Sequence, residues 1–205
     1  MPPPPTKIVC VGRNYLAHAR ELGNEMPERP LIFLKPPSSL IRSGETIRLP
    51  AESKQVDHEA EIAAIIGRRC SRVRAEDALA YVGWYAPLND VTARDLQKAD
   101  GQWTRGKGFD TFCPLGEAAP AAGVDPQSLE VIGRVNGEVR QRGSASQMAF
   151  TIPTLIEYIS GFMTLEPGDV IATGTPAGVG PLQAGDVVEV EIPGIGTLSN
   201  PVAAR

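Results

Sequence analysis

Lys7 to Val11 is a short apolar run closed by Gly12, the pattern of a strand. Asn14 to Leu22 is rich in helix formers and stops at Gly23-Asn24, which predicts a helix. Leu31 to Lys35 reads as a second strand, ended by Pro36-Pro37. Glu59 to Gly67 fits helix or strand on periodicity alone; bounding charges, Gly67 and recurrent Ile favour a strand. Ala75 to Tyr81 predicts a short helix and Val82 to Leu88 a strand leading into Asn89-Asp90. Thr92 to Ala99 predicts a helix with Thr92 as its N-cap and Asp95 in the first turn. Val131–Val135 and Glu138–Arg142 flank Asn136-Gly137, the dipeptide that best closes a two-residue hairpin. Ile152 to Phe162 carries Leu155, Ile156, Ile159 and Phe162 at helical spacing. Val187 to Ile192 alternates Val and Glu, as an antiparallel strand with one wet face does.

Together these elements describe an α+β, β-rich single domain over residues 7–205, with residues 1–6 as a flexible Pro-rich tail. Of 205 residues, 42% are apolar and 21% charged, which excludes wholesale disorder. A net charge of −4 gives no general attraction to nucleic acid or anionic lipid, so neither is an expected partner. Met1-Pro2-Pro3-Pro4-Pro5 lacks the features of a signal peptide, and no apolar run reaches membrane-spanning length. Cys10, Cys70 and Cys113 are odd in number and widely spaced, which argues against a disulfide framework and places the chain in a reducing cytoplasm.

Glu59-Ala60-Glu61 carries the chemistry. On a strand, side chains two apart project to the same face, about 7 Å apart along the backbone. Two anions beside the apolar Ile62 to Ile66 repel each other once partly buried, and a cation between them removes that cost. Asp90, ending the apolar segment before it, is a natural third ligand. Three oxygen donors without Cys or clustered His favour a hard ion, Mg²⁺ or Mn²⁺. Spacing alone is met more simply by the solvated face of an edge strand, with Asp90 in a turn.

Longer motifs change that balance. Val11-Gly12-Arg13-Asn14-Tyr15 with His18 and Glu21, Leu34-Lys35-Pro36-Pro37-Ser38-Ser39, and Val56-Asp57-His58-Glu59-Ala60-Glu61 resemble the fumarylacetoacetate hydrolase family. So do Asn89 to Gln97, Arg105 to Pro114, Asn136-Gly137, Gln141, and Thr173 to Gly180, in family order along nearly the whole chain. The length is that expected of compact acylpyruvase and oxaloacetate decarboxylase-like members, not of the fumarylacetoacetase that carries an extra N-terminal domain. The resemblance implies a mixed β-roll with few short helices and assembly as a homodimer.

By resemblance, Glu59, Glu61 and Asp90 hold the metal and Lys107 is the catalytic lysine beside a developing enolate. His18 and Glu21 form a lid dyad that activates water. Arg13, Gln97 and Thr175 are candidates for binding substrate oxygens, and the Thr173-Gly174-Thr175 loop for cradling a carboxylate. Without the family, Lys107 reads as a solvated loop lysine and His18–Glu21 as a surface helix pair. His58 would point away from Glu59 and reads as structural. The distal part of the pocket is expected around Leu22 to Arg29.

The implied activity is hydrolysis of an acylpyruvate, a small-molecule 2-oxo acid such as acetylpyruvate or fumarylpyruvate, to pyruvate and a carboxylic acid. The same site would support oxaloacetate decarboxylation or tautomerisation, or isomerisation of a 2-hydroxy-dienedioate. A non-catalytic oxo-acid or metal-binding protein is the alternative of another class; it would not need Lys107, His18 and Glu21 together.

Overall fold

The computed structural model describes residues 1–21, 23 and 25–205. Its central six-stranded sheet runs, edge to edge, Ala119–Pro120, Val82–Asn89, Ala60–Ile66, Val170–Ala172, Ile8–Gly12, Leu31–Lys35. All neighbours are antiparallel except Ile8–Gly12 with Val170–Ala172. The segment from Glu59 is thus settled as strand. Ala60–Ile66 is buried at every position because it lies inside the sheet, with core on both faces. Ala60, Ile62, Ala64 and Ile66 join one apolar cluster, while Ala63 and Ile65 join another with Ile8, Cys10, Leu88 and Cys113. Glu61 shares the parity of Ala63 and Ile65.

A second sheet of five strands, in the order Glu138–Ser144, Glu130–Val135, Val187–Ile192, Gly196–Ala204, Ile47–Leu49, packs on the first. Its first hairpin closes at Asn136-Gly137, whose φ angles of 54° and 80° fit a turn with both central residues left-handed. Val188, Val190 and Ile192 are buried while the alternating Glu189 and Glu191 are not, as the sequence pattern predicts. A small three-stranded sheet, Gly180–Pro181, Val56–His58, Thr92–Ala93, joins the segments next to Glu59 and Asp90 to the glycine-rich loop.

The Ile152–Phe162 helix starts at an N-cap, Thr151, and buries Ile152, Leu155, Ile156 and Ile159. Phe162, expected on the same stripe, is exposed and instead meets Tyr158 edge-on at 5.6 Å. Two helix expectations are corrected. The first helix covers only Leu16–Glu21, because Asn14 turns inward to bond Phe150 and Thr173 backbone; Leu22 and Asn24 lie outside the described residues. The helix predicted from Thr92 begins at Arg94 and runs to Asp100. Thr92 pairs with Asp57 as a strand and donates its hydroxyl to Asp90 O, so it caps nothing. Among the described residues no helix is long and apolar enough to cross a membrane. The three cysteines are buried free thiols.

Candidate active site

Glu59 links the Val56–His58 and Ala60–Ile66 strands, so it and Glu61 sit one extended residue apart and aim into one cavity. Asp90 follows the Val82–Asn89 strand, and its amide donates to Glu59 O at 2.9 Å. Asn89 fixes the junction by accepting the Glu59 amide at 2.9 Å. One carboxylate oxygen from each of Glu59, Glu61 and Asp90 lies within 4.8 Å of the others, and all three residues are buried. A solvated edge face is therefore excluded, since the strand is interior.

Three cations hold this floor. Lys107, at 2% exposure, is not a solvated loop lysine; its Nζ donates to Glu59 Oε2 and Asp90 Oδ2, each at 2.8 Å. Lys35 donates to Asp90 Oδ1 at 2.6 Å and to Val91 O at 3.0 Å. Arg94 spans Asp57 (2.9 Å), Glu59 Oε1 (2.6 Å) and Gln97 Oε1 (2.8 Å). Glu61 has no basic partner among the described residues and accepts only the Gly174 amide, at 2.8 Å.

The electrostatics follow from this. Burial raises the Glu59 pKa, but Lys107 and Arg94 outweigh it and hold the carboxyl well below its usual range. For Glu61, burial and the charges of Asp90 and Glu59 push the pKa well up. Burial opposes the Lys107 charge, yet Asp90 and Glu59 lift its pKa to about 12. With Glu61 ionised, the four carboxylates Asp57, Glu59, Glu61 and Asp90 outnumber the three cations Lys35, Arg94 and Lys107 by one. Burial with two neighbouring anions opposes that charge until a cation offsets it. Buried, hard, close-set and net negative, the donor set fits a divalent cation of the Mg²⁺ or Mn²⁺ kind. Each oxygen already paired to a lysine or arginine keeps a second lone pair for it.

The cavity has a volume of about 290 Å³ and is lined by every candidate residue except Glu21. His18 is buried at its wall, with Nδ1 3.3 Å from Glu21 Oε2, so the dyad is formed. Glu21 stands behind it, accepting the Gly178 amide at 2.9 and 3.2 Å. Arg13 lines the cavity from a left-handed backbone turn, φ 57°. Gln97 is tied to Arg94.

Thr175 also reaches the cavity, but its hydroxyl is committed within the protein. Gln141 Nε2 donates to it at 2.7 Å and to Pro176 O at 2.8 Å, and Thr175 Oγ1 donates to Ala60 O at 2.9 Å. Gln141 Oε1 must then accept from Ala60 N and from His58 Nδ1, both at 2.9 Å, which fixes the His58 tautomer. His58 is thus structural, as expected. The Gly174 amide cradles Glu61, so the loop's first use is to hold a protein carboxylate. Gly174 needs its φ of 100° to do so, and a Cβ there would stand 2.7 Å from Asn14 Cβ.

Several residues of the site escape a reading by motif. Lys35, Asp57 and Arg94 lie inside quoted motifs, but their roles depend on pairings 35 to 55 positions apart. Phe33 and Trp103 form an edge-to-face wall 5.1 Å between centroids, and Lys98 joins the lining from the Arg94–Asp100 helix. The distal wall is expected around residues 22–29; among the described residues the upper lining comes from Val11, Gly12, Arg13, Phe33, Gln97, Lys98, Gly101 and Trp103. Leu22 and Asn24 are outside that description.

The sequence model described as fumarylacetoacetate (FAA) hydrolase C-terminal matches residues 7–203. The chain is 49% identical to the mitochondrial oxaloacetate tautomerase of Arabidopsis thaliana, covering 98% of this chain and 92% of that protein. Its fold matches the crystal structure of 2-hydroxyhepta-2,4-diene-1,7-dioate isomerase from Mycobacterium marinum (TM-score 0.90, 48% identity, 98% and 76% of the two chains). It also matches fumarylpyruvate hydrolase from Pseudomonas aeruginosa in complex with Mn²⁺ and pyruvate (TM-score 0.91, 35% identity, 98% and 91%). A β-rich fold of this type, the motif order and the buried carboxylate cluster agree: the chain belongs to the fumarylacetoacetate hydrolase family.

Proposed function

We propose that the chain is a divalent-metal-dependent hydrolase that splits an acylpyruvate into pyruvate and a carboxylic acid. The observation that carries this reading is the His18–Glu21 pair at the wall of the cavity whose floor is Glu59, Glu61 and Asp90. Bound at those three carboxylates, Mg²⁺ or Mn²⁺ would supply Lewis acidity and a fixed template for the 2-oxo acid end of the substrate.

The chain's own residues account for the remaining steps. Glu21 faces His18 Nδ1, which leaves Nε2 to take a proton from water. That water adds to the distal carbonyl, and the adduct collapses with the bonding electrons of the C–C bond passing to an enolate. Lys107, already charged at the floor, stabilises the enolate oxygen. Arg94 and Lys35 keep Glu59 and Asp90 oriented while this happens.

A second reading, enolate chemistry on oxaloacetate without water attack, is favoured by the 49% identical oxaloacetate tautomerase. The two separate experimentally. With Mg²⁺ or Mn²⁺ present, acetylpyruvate and oxaloacetate are assayed with the wild type, His18→Ala and Glu59→Gln. Hydrolysis should fall about 10²–10⁴-fold in His18→Ala, while oxaloacetate decarboxylation, which needs no activated water, persists. Glu59→Gln should lose both. Full hydrolysis by His18→Ala removes the dyad's role; wild type that turns over oxaloacetate but leaves acylpyruvates intact establishes the second reading.

A further inference from the structure

A second cavity, of about 560 Å³, shares no lining residue with the first. His58, only 3% exposed, is its most buried polar residue and uses a single ring nitrogen within the protein. Gln141 Oε1 takes the Nδ1 proton, which in the neutral ring leaves Nε2 as a lone-pair acceptor. Among the described residues nothing bonds Nε2. It faces Gly180, another lining residue, where a Cβ would stand 3.7 Å from it. Buried acceptors are nearly always met by a donor, and here the cavity is where one can enter.

The rest of the lining says what kind of donor fits. Arg140 and Asp186 are its charged residues, one of each sign. Arg140 meets Glu138 in an exposed ion pair, a contact that holds it weakly, and its guanidinium has further N–H groups for a carboxylate. Asp186 accepts from Asn136 Nδ2 at 2.8 Å and from the Gln183 amide at 2.7 Å, one bond to each oxygen, which leaves lone pairs to spare. An ammonium group has three donors and no acceptor, so it can serve Asp186 and His58 Nε2 together. Val135, Val179 and Pro181 add an apolar wall. Gly178 also lines this cavity, and its amide is the group that Glu21 of the dyad accepts.

We propose that this cavity is a second ligand site, for a zwitterionic α-amino acid with an apolar side chain, and that its occupant acts on the His18–Glu21 dyad through Gly178. The carboxylate lies on Arg140, the ammonium between Asp186 and His58 Nε2, and the side chain against the valines. A ligand packed on Gly178 favours the loop position in which that amide meets Glu21. The site is independent of which bond is broken over the carboxylate floor.

The test is an NMR titration, at one pH, of ¹⁵N-histidine-labelled, Mg²⁺-loaded protein with L-leucine, 4-methylpentanoate and 3-methylbutan-1-amine. The last two are leucine without its amino group and without its carboxylate. The chain has two histidines, so each cavity has its own reporter, His18 for the first and His58 for the second. L-Leucine should move the His58 Nε2 resonance saturably, and His18 with the same dissociation constant. Each truncated analogue should bind about 30-fold more weakly. Arg140→Gln should weaken L-leucine by a similar factor and leave 3-methylbutan-1-amine within about twofold of wild type. Gly180→Ala, which sets a methyl in contact with Nε2, should weaken both about tenfold or more. A His58 resonance that stays still, equal binding of all three compounds, or movement of His18 alone would overturn the site. A response confined to His58 would overturn its link to the dyad.

Discussion

The three carboxylates of the floor are alike in chemistry and opposite in environment. Glu59 is gripped by Arg94 and Lys107, whereas Glu61, among the described residues, bonds a single backbone amide and faces two neighbouring anions. Without a divalent ion, Glu59→Gln should therefore cost stability, about 3 kcal/mol, because it takes one of the two carboxylate partners from each of two buried cations. Glu61→Gln should do the reverse and stabilise the metal-free protein at neutral pH. The sign follows from linkage: a carboxyl whose folded pKa is raised disfavours folding once the pH exceeds its unfolded value near 4.5. Denaturant melts in EDTA give both signs, and added Mn²⁺ should raise the stability of wild type more than of either variant. That Glu59 and Glu61 share a face is legible from strand alternation, while grouping them with Asp90 rests on the family motifs. Their opposite burdens are not legible, since Lys35 and Arg94 reach the site only through sheet pairing.

At the scale of elements, strands with a clear apolar or alternating pattern are read correctly, and the ends of the helices near Asn14 and Thr92 are not. The strands Ile8–Gly12, Leu31–Lys35, Val82–Asn89 and Val187–Ile192 follow from their patterns. The Thr92 cap fails because strand pairing with Val56–His58 outbids a local capping preference worth about 1 kcal/mol. That pairing, with Arg94 N bonded to Gln55 O, delivers the Arg94 side chain to Glu59. The six-residue Leu16–Glu21 helix is likewise too short to stand by itself. It is held at its far end by Glu21 on the Gly178 amide. Gly178 has φ 99°, and a Cβ there would lie 2.0 Å from Arg140 O, so only glycine keeps that amide in place. Gly178→Ala should lower kcat for hydrolysis about 10- to 100-fold by displacing the dyad. The Mn²⁺-induced rise in melting temperature should survive, because the carboxylate floor is untouched.

At the scale of the molecule, the cavity depends on how the chain's beginning is fastened near its end. Ile8–Gly12 carries Arg13 to the cavity and pairs in parallel with Val170–Ala172. Parallel pairing across such a separation has no hairpin to set its register. Asp169 supplies the anchor. Its buried Oδ1 accepts the Thr6 amide (2.9 Å), the Thr6 hydroxyl (2.7 Å) and the Lys7 amide (3.1 Å), while Oδ2 takes the Glu166 amide (2.7 Å) and the Lys7 ammonium. Burial opposes the charge, but these donors prevail and hold the carboxyl below its ordinary value of 3.8. A depressed acid stabilises the fold above its unfolded pKa and loses that contribution as pH falls through its folded one. Asp169→Asn should therefore cost about 3 kcal/mol near pH 7. That corresponds to a melting temperature lower by about 6–12 °C for a chain of this size. Below pH 3.8 the gap to wild type should narrow, and a gap that is constant with pH would mean that shape rather than charge is what the strand junction needs.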